Sequence, residues 1–234
     1  MKAAFITQTG PPEVITYGDL PQPKPGRRQC LIKVAAVDVN PIDVYVRSGA
    51  IPMKLSFPFI LGRDLAGTVV EAGAGVRGYK PGDRVWASNQ GAEGRPGTFA
   101  EYAAVDYRWL NLIPEGVSDE DIVSLSLTGI TAQLGLVRNA ALRPREILFV
   151  NGGTGGVGAC VVQMAKILGA RVIATAGTDE KVAACRDLGA DLAINYRTQD
   201  VVAAVRDFAP EGVNVWWETL REPDFDRAIP LLAL

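Results

Sequence analysis

The chain has 234 residues, 48% hydrophobic and 21% charged, which is the composition of a globular protein with material for one large domain or two ordinary ones. Its formal net charge of −2 gives no electrostatic reason to expect nucleic acid or an anionic membrane as partner, and no apolar run is long enough to span a bilayer. With no histidine, imidazole triads and His-ligated zinc are excluded, and the three cysteines, Cys30, Cys160 and Cys185, form no C-x-x-C pair.

The N-terminal stretch, with one lysine and no long apolar core, does not read as a secretory signal, so a cytoplasmic location is the default expectation. Residues 1–125 read as a β-rich domain. Short β-prone runs at Ala3–Thr7, Leu31–Val37, Ala66–Glu71 and Arg84–Ala87 are separated by Gly/Pro punctuation such as Gly10-Pro-Pro12 and Lys80-Pro-Gly-Asp83. Asn40-Pro-Ile-Asp43 reads as a loop entering a short helix, with Pro41 suited to its first turn. Ser118-Asp-Glu-Asp121 reads as a capping box opening a helical run to about Leu142, and the domain boundary is expected near Leu125. Cys160 and Cys185 fall in helical patterns and are expected to be small buried hydrophobes.

Residues 126–234 alternate apolar runs at 147–151, 171–176, 192–195 and 213–217 with helical segments at 156–168, 179–188, 200–208 and 224–234. That alternation implies a parallel, doubly wound sheet, with four of the six strands a dinucleotide-binding fold needs. Pro230 should kink or end the last helix. Within the first unit of this pattern, Gly153, Gly155 and Gly158 stand at G-x-G-x-x-G spacing between a strand and a helix. At that spacing the first glycine permits a tight turn, the second lets backbone approach a pyrophosphate, and the third lets helix and strand pack closely. The strand Arg171–Ala176 ends in Gly177-Thr178 with no acid at its tip, which leaves room for a 2′-phosphate served by Lys181 and Tyr196, with Arg197 nearby. Asp179 lies near the distance expected of a ribose-binding acid, but it and Glu180 read as first-turn acids after a Thr178 N-cap.

Taken together, Asn40-Pro-Ile-Asp43 with Tyr45–Gly49, Gly62-Arg-Asp-Leu-Ala-Gly67, Lys80–Val85, Gly152–Gly158, Ala176–Lys181 and Ile194–Arg197 resemble the zinc-free medium-chain dehydrogenases/reductases, closest to the quinone oxidoreductases that include zeta-crystallin. The resemblance covers nearly the whole chain. It implies an α/β protein: a GroES-like N-terminal catalytic domain, an incomplete Rossmann domain, and NADPH between them. It also implies a small-molecule quinone or enone as substrate. Asp38 and Arg63 stand near the places where zinc-dependent members hold a thiolate and an imidazole, so no metal is expected.

Residue by residue, the resemblance implies that Asn40, Asp43 and Tyr45 line the nicotinamide and substrate site. It places Thr131 at the nicotinamide amide, Gly153, Gly155, Gly156, Val157 and Gly158 at the pyrophosphate, and Gly177, Thr178, Lys181 and Tyr196 at the 2′-phosphate. Asn40 also reads as a helix cap, Tyr45 as a packed aromatic and Thr131 as a buried hydroxyl bonding its own helix. Arg63 and Asp64 read as structural, and Trp216 and Trp217 as core and wall. Leu220-Arg-Glu-Pro223 departs from the family, which usually has a glycine-containing turn there. The leading expectation is hydride transfer from NADPH to a quinone. Reduction of α,β-unsaturated ketones or enoyl thioesters is the alternative, and a non-catalytic NADPH-binding, structural or RNA-binding protein is a third. The family completes its sheet and dimer edge with further strands, so a homodimer belongs to the same set of expectations.

Overall fold

A computed structural model describes residues 1–219 and 222–233 of the chain. It divides into two compact units, Met1–Leu127 and Thr128–Leu234. The division falls inside one helix, two residues beyond the expected Leu125.

The first unit carries two antiparallel sheets. A three-stranded one has the order β2 (Thr16–Asp19), β1 (Lys2–Ile6), β4 (Phe59–Ile60). A five-stranded one has the order β7 (Tyr102–Asp106), β3 (Gln29–Ala36), β5 (Leu65–Ala72), β6 (Arg84–Ala87), β8 (Leu110–Leu112). Ile32, Leu65, Val69, Val85 and Val105 fill the core of the larger sheet. The pairing of β3 with β5 is irregular after Leu31 and again after Val34. Between the two sheets in sequence runs α1 (Pro41–Ser48), with Pro41 in its first turn and Gly49 closing it at φ +78°. The four expected strands are present with shifted ends. The reading did not name β2, β4, β7 or β8. Strand β2, Thr-Tyr-Gly-Asp, is mostly exposed, and β4 spans two residues, so neither carries an apolar alternation.

A helix begins at Asp119, where the Ser118 hydroxyl accepts the Asp121 N–H at 3.0 Å. The single helix expected to about Leu142 is not what forms. The α-helix α2 runs Asp119–Gln133, and a π-helical segment follows over Leu134–Asn139, with Ala140 N–H reaching back five residues to the Gly135 carbonyl at 2.8 Å.

The second unit is a parallel sheet in the order β11 (Leu192–Asn195), β10 (Arg171–Ala176), β9 (Ile147–Val150), β12 (Val215–Trp217). Helices α3 (Gly156–Ile167), α4 (Asp179–Asp187), α5 (Val201–Phe208) and α6 (Phe225–Ala228) follow successive strands. Strand residues divide by parity between two cores: Leu148 and Val150 pack with Val161, Ala165 and Val182, while Phe149, Ile173 and Ile194 pack with Val201 and Val205. Both faces of the sheet are therefore covered, and the strand order reverses at β9, which places a switch point between β9 and β12. Trp217 packs against the first of these cores and Trp216 against the second, where its ring stacks on Phe149 at 3.8 Å between centroids. All three cysteines are buried and free.

The helix expected over 224–234 breaks up. After α6 the chain tightens into a 3₁₀ turn over Ile229–Leu231 containing Pro230, which has no N–H to extend an α-helix. Leu232 then bridges Val213 in parallel, with Val213 N–H donating to Leu231 O at 2.8 Å and Ala233 N–H to Val213 O at 2.9 Å. Of the unusual Leu220–Pro223 segment, Leu220 and Arg221 lie outside the described residues.

Candidate active site

In the second unit, β9 delivers the chain to the C-terminal edge of the sheet and the glycine turn. The left-handed residue of the turn is Gly152, at φ +81°, not Gly153 as its place in the motif suggests. Gly153 is required by contact instead: a Cβ there would stand 2.7 Å from the Ala174 Cβ and 2.9 Å from the Cys185 Sγ. Gly158 is required by closer contact still, because its Cβ would stand 2.1 Å from the Gly152 carbonyl oxygen. Gly155, the N-cap of α3, is different. Its Cβ would meet nothing nearer than 3.5 Å, and Gly155 and Gly156 are exposed. Val157, between them and Gly158, is half-buried against the core.

A polar network that the sequence reading missed holds this turn. Gly152 N–H donates to Thr175 Oγ1 at 3.1 Å, and that hydroxyl donates to Asn151 Oδ1 at 2.9 Å. Asn151 Nδ2 donates to Glu218 Oε1 at 3.0 Å, and the Thr219 hydroxyl donates to the Asn151 carbonyl. The available signal was a polar residue at the end of each of three apolar strands.

At the tip of β10, a Cβ on Gly177 would stand 2.5 Å from Tyr196 Oη and 3.5 Å from Arg197 Nε. The phenol and the guanidinium therefore lie over the glycine. Thr178 caps α4, its hydroxyl accepting the Lys181 N–H at 3.3 Å. The carboxylate of Asp179 accepts the Asn195 amide at 2.6 Å. The acid that competes for a ribose role is thus tied to the end of β11. Lys181 is exposed and Tyr196 is 49% exposed. Thr131, placed by the resemblance at the nicotinamide amide and otherwise read as a buried hydroxyl, is exposed on α2.

In the first unit Asn40 is the N-cap of α1, and its backbone N–H donates to Asp43 Oδ2 at 2.8 Å. Its side chain does something else: Nδ2 donates to Asp64 Oδ2 at 2.8 Å. All three residues are buried, at 2%, 6% and 0% exposure for Asn40, Asp43 and Asp64. Burial pushes the Asp43 carboxyl up to about 6; the carboxylates of Asp64 and Asp38 add to the rise, and the Asn40 N–H and Arg63 oppose it. Asp64 is raised as well, again by burial first, against the pull of Ser88 and Asn40. Arg63, read as structural, is buried and donates to Asn89 Oδ1 at 3.1 Å. Tyr45 is half-buried on α1, one turn before Gly49.

The structure thus groups Asn40 with Asp43 and Asp64, the five glycine-turn residues with one another, and Gly177 with Tyr196. Among the described residues no group of His, Cys, Asp or Glu side chains is arranged to hold a metal ion. No described helix is long and apolar enough to cross a membrane.

These features define a class, a GroES-like unit joined to a Rossmann-like unit, and comparison with known proteins agrees. Residues 26–115 match the alcohol dehydrogenase GroES-like domain, and residues 156–234 match the zinc-binding dehydrogenase family. The human quinone oxidoreductase is 30% identical across the whole chain, which spans 70% of that relative. A chloroplastic NADPH-dependent alkenal/one oxidoreductase of Arabidopsis thaliana is 38% identical over 86% of the chain and 54% of the relative. The crystal structure of Escherichia coli quinone oxidoreductase complexed with NADPH superposes with a TM-score of 0.90 at 29% identity, over 99% of this chain and 70% of that one. The chain belongs to the quinone oxidoreductase family of the medium-chain dehydrogenases/reductases, a family of oxidoreductases.

Proposed function

We propose that this chain is an NADPH-dependent reductase that passes hydride to a quinone without a metal. The observation that carries the reading is the tip of β10. Gly177 lies under the Tyr196 phenol and the Arg197 guanidinium, Lys181 is exposed in the first turn of α4, and of the two acids in that turn, Asp179 and Glu180, Asp179 is engaged by Asn195. Such a tip offers donors and positive charge to a 2′-phosphate, and its Asp179 carboxylate is occupied rather than free for a ribose 2′-hydroxyl.

The glycine turn fits a pyrophosphate for a similar reason. No atom of the protein requires glycine at 155, and the first N–H groups of α3 have no intrahelical acceptors. In this reading Gly155, Gly156 and Val157 present backbone N–H groups to the pyrophosphate, while Gly153 and Gly158 hold the turn closed behind them. Thr131 orients the nicotinamide amide. Bound NADPH supplies the hydride; the chain supplies position, dryness and donors. Asn40, fixed by Asp64, orients the nicotinamide side of the site, and the Tyr45 hydroxyl is the donor to the oxygen that gains charge on the acceptor. Asp43, with a carboxyl that titrates near 6, is the nearby proton reservoir. Arg63 rather than a metal ligand occupies the buried position beside these acids, which supports metal-free chemistry.

The test is steady-state oxidation of NADPH and NADH with 9,10-phenanthrenequinone as acceptor. NADPH is expected to be used at least about tenfold better, a difference of about 1.4 kcal/mol. Combining Lys181→Ala with Tyr196→Ala raises the KM for NADPH by about tenfold or more and leaves that for NADH unchanged. Equal use of the two cofactors by the unaltered protein overturns the assignment, and a metal chelator is expected to have no effect. The likeness to the Arabidopsis alkenal/one oxidoreductase supports a second reading, reduction of an α,β-unsaturated carbonyl compound by the same residues. An enone in the same assay separates the two.

A further inference from the structure

In the first unit, away from the residues just described, the turn before β3 and the turn after β5 are fastened to each other by main-chain hydrogen bonds. Gly75 N–H donates to Arg27 O at 2.7 Å and Gly73 N–H to Gln29 O at 2.9 Å, while Tyr107, in the 3₁₀ turn after β7, donates its N–H to Arg28 O at 3.0 Å. The fastened turns frame an open concavity of about 500 Å³, with Arg27, Arg28, Arg77 and Tyr107 among its lining residues. That volume suits a small molecule. Every charged side chain in the lining is a guanidinium, in a chain whose 26 acids outnumber its 24 bases.

The arginines are not consumed by the protein. Among the described residues, Arg27 and Arg77 have no carboxylate within ion-pair distance. Arg28 lies over the Tyr107 ring, 5.6 Å from its centroid, and its Nε is 3.9 Å from Asp106 Oδ2. That carboxylate is already held by Arg108, whose Nε and Nη2 donate to its two oxygens at 3.0 Å each. The bonds from Arg108 also hold the Asp106 carboxyl below the usual range. Gly75 contributes by its size: a Cβ there would stand 3.1 Å from Arg27 Cγ, so glycine lets the arginine stem lie along the turn. Planar, always charged guanidinium groups match the oxygens of a carboxylate or a phosphate, and a phosphate carries the greater charge for several of them to meet at once.

We propose that this concavity binds a phosphate monoester, with Arg27 and Arg77 gripping the phosphate and the stacked Arg28–Tyr107 pair forming a flat wall beside it. The test is calorimetric binding of AMP and, separately, of inorganic phosphate to the full chain at low ionic strength, where charge pairing is strongest. Combining Arg27→Ala with Arg77→Ala is expected to weaken binding about tenfold or more, because both donors are lost. Lys24→Ala, which removes an exposed cation of the segment before β3 that does not line the concavity, is expected to leave binding within about twofold. AMP binding tighter than inorganic phosphate identifies the ester as the ligand; equal affinities identify the phosphate group alone as what is recognised, and both support the site. No binding, or an equal loss in Lys24→Ala, overturns it. So does a loss confined to Lys181→Ala with Tyr196→Ala, which would place AMP at the β10 tip and leave the reading of that tip intact.

Discussion

The polar centres of the two units are built in opposite ways. In the first, Asn40, Asp43 and Asp64 are buried and bond to one another. In the second, Gly155, Lys181 and Tyr196 are exposed, and what they could bond to is largely absent from the protein itself. The first centre must be satisfied for its unit to fold, so any chemistry there is built on a structural necessity. The second can be altered with little consequence for folding, so its residue choices report more directly on a ligand. Substitutions that separate folding from binding should therefore divide along the same line.

The largest loss of stability is expected from Gly158→Ala. A Cβ 2.1 Å from the Gly152 carbonyl would have to push α3 away from the turn or distort the turn itself, because the obstacle is backbone and cannot rotate aside. A cost of at least ~3 kcal/mol follows, read as a fall in the urea midpoint or as loss of soluble protein. Asn40→Ala comes next. It removes the amide donor from the fully buried Asp64 carboxylate and leaves Ser88 to hold it without that bond. Leaving Asp64 in that state costs ~2–3 kcal/mol, and a wild-type melting temperature for this variant would show that the array in the first unit is not structurally required.

The same contrast explains what could be read from the sequence. The second unit was legible almost throughout, because a parallel sheet covered on both faces writes each strand as a continuous apolar run and each helix as a period. The glycine turn was legible as a place but not in its detail. The motif points to Gly153 for the tight turn, yet the positive φ belongs to Gly152, a distinction that depends on how Thr175 and Thr219 pin the neighbouring peptides. In the first unit, Asn40 and Asp43 were found as residues through likeness, while the bond from Asn40 to Asp64 crosses 24 positions and has no local signature. The π-helical segment after Gln133 was equally hidden, since Leu-Gly-Leu-Val-Arg-Asn reads as ordinary helix and only the reach of Ala140 N–H to Gly135 O sets it apart.

A smaller effect, but one with a sign, is expected from Asp43→Asn. The folded carboxyl titrates near 6, above its ordinary value of 3.8, so between about pH 4 and pH 6 the folded state binds more protons than the unfolded one. Stability from this group is complete below pH 4 and is lost as the pH rises through 6. The asparagine variant keeps an oxygen to accept the Asn40 N–H and has no such dependence. The difference in unfolding free energy between the two proteins should therefore change by on the order of 2 kcal/mol from pH 4.5 to pH 7.5, the variant gaining. A constant difference across that range would mean that Asp43 is not desolvated in the folded protein.

The smallest effect on stability should come with a large effect on binding, at Gly155→Ala. The new methyl group would have no neighbour closer than 3.5 Å, and the backbone at φ −69° and ψ 163° is one that alanine adopts freely. The change in stability should stay within about 0.5 kcal/mol, and NADPH affinity should fall about tenfold, because the methyl group occupies the approach to the N–H groups of α3. Circular dichroism melting and fluorescence titration of the one variant measure both quantities. Set beside Gly158→Ala, three residues away, it asks whether the two glycines are present for different reasons. Equal NADPH affinity in Gly155→Ala and the unaltered chain would mean that nothing approaches this turn closely, and the opening in the structure above Gly155 would then have to be explained without a phosphate.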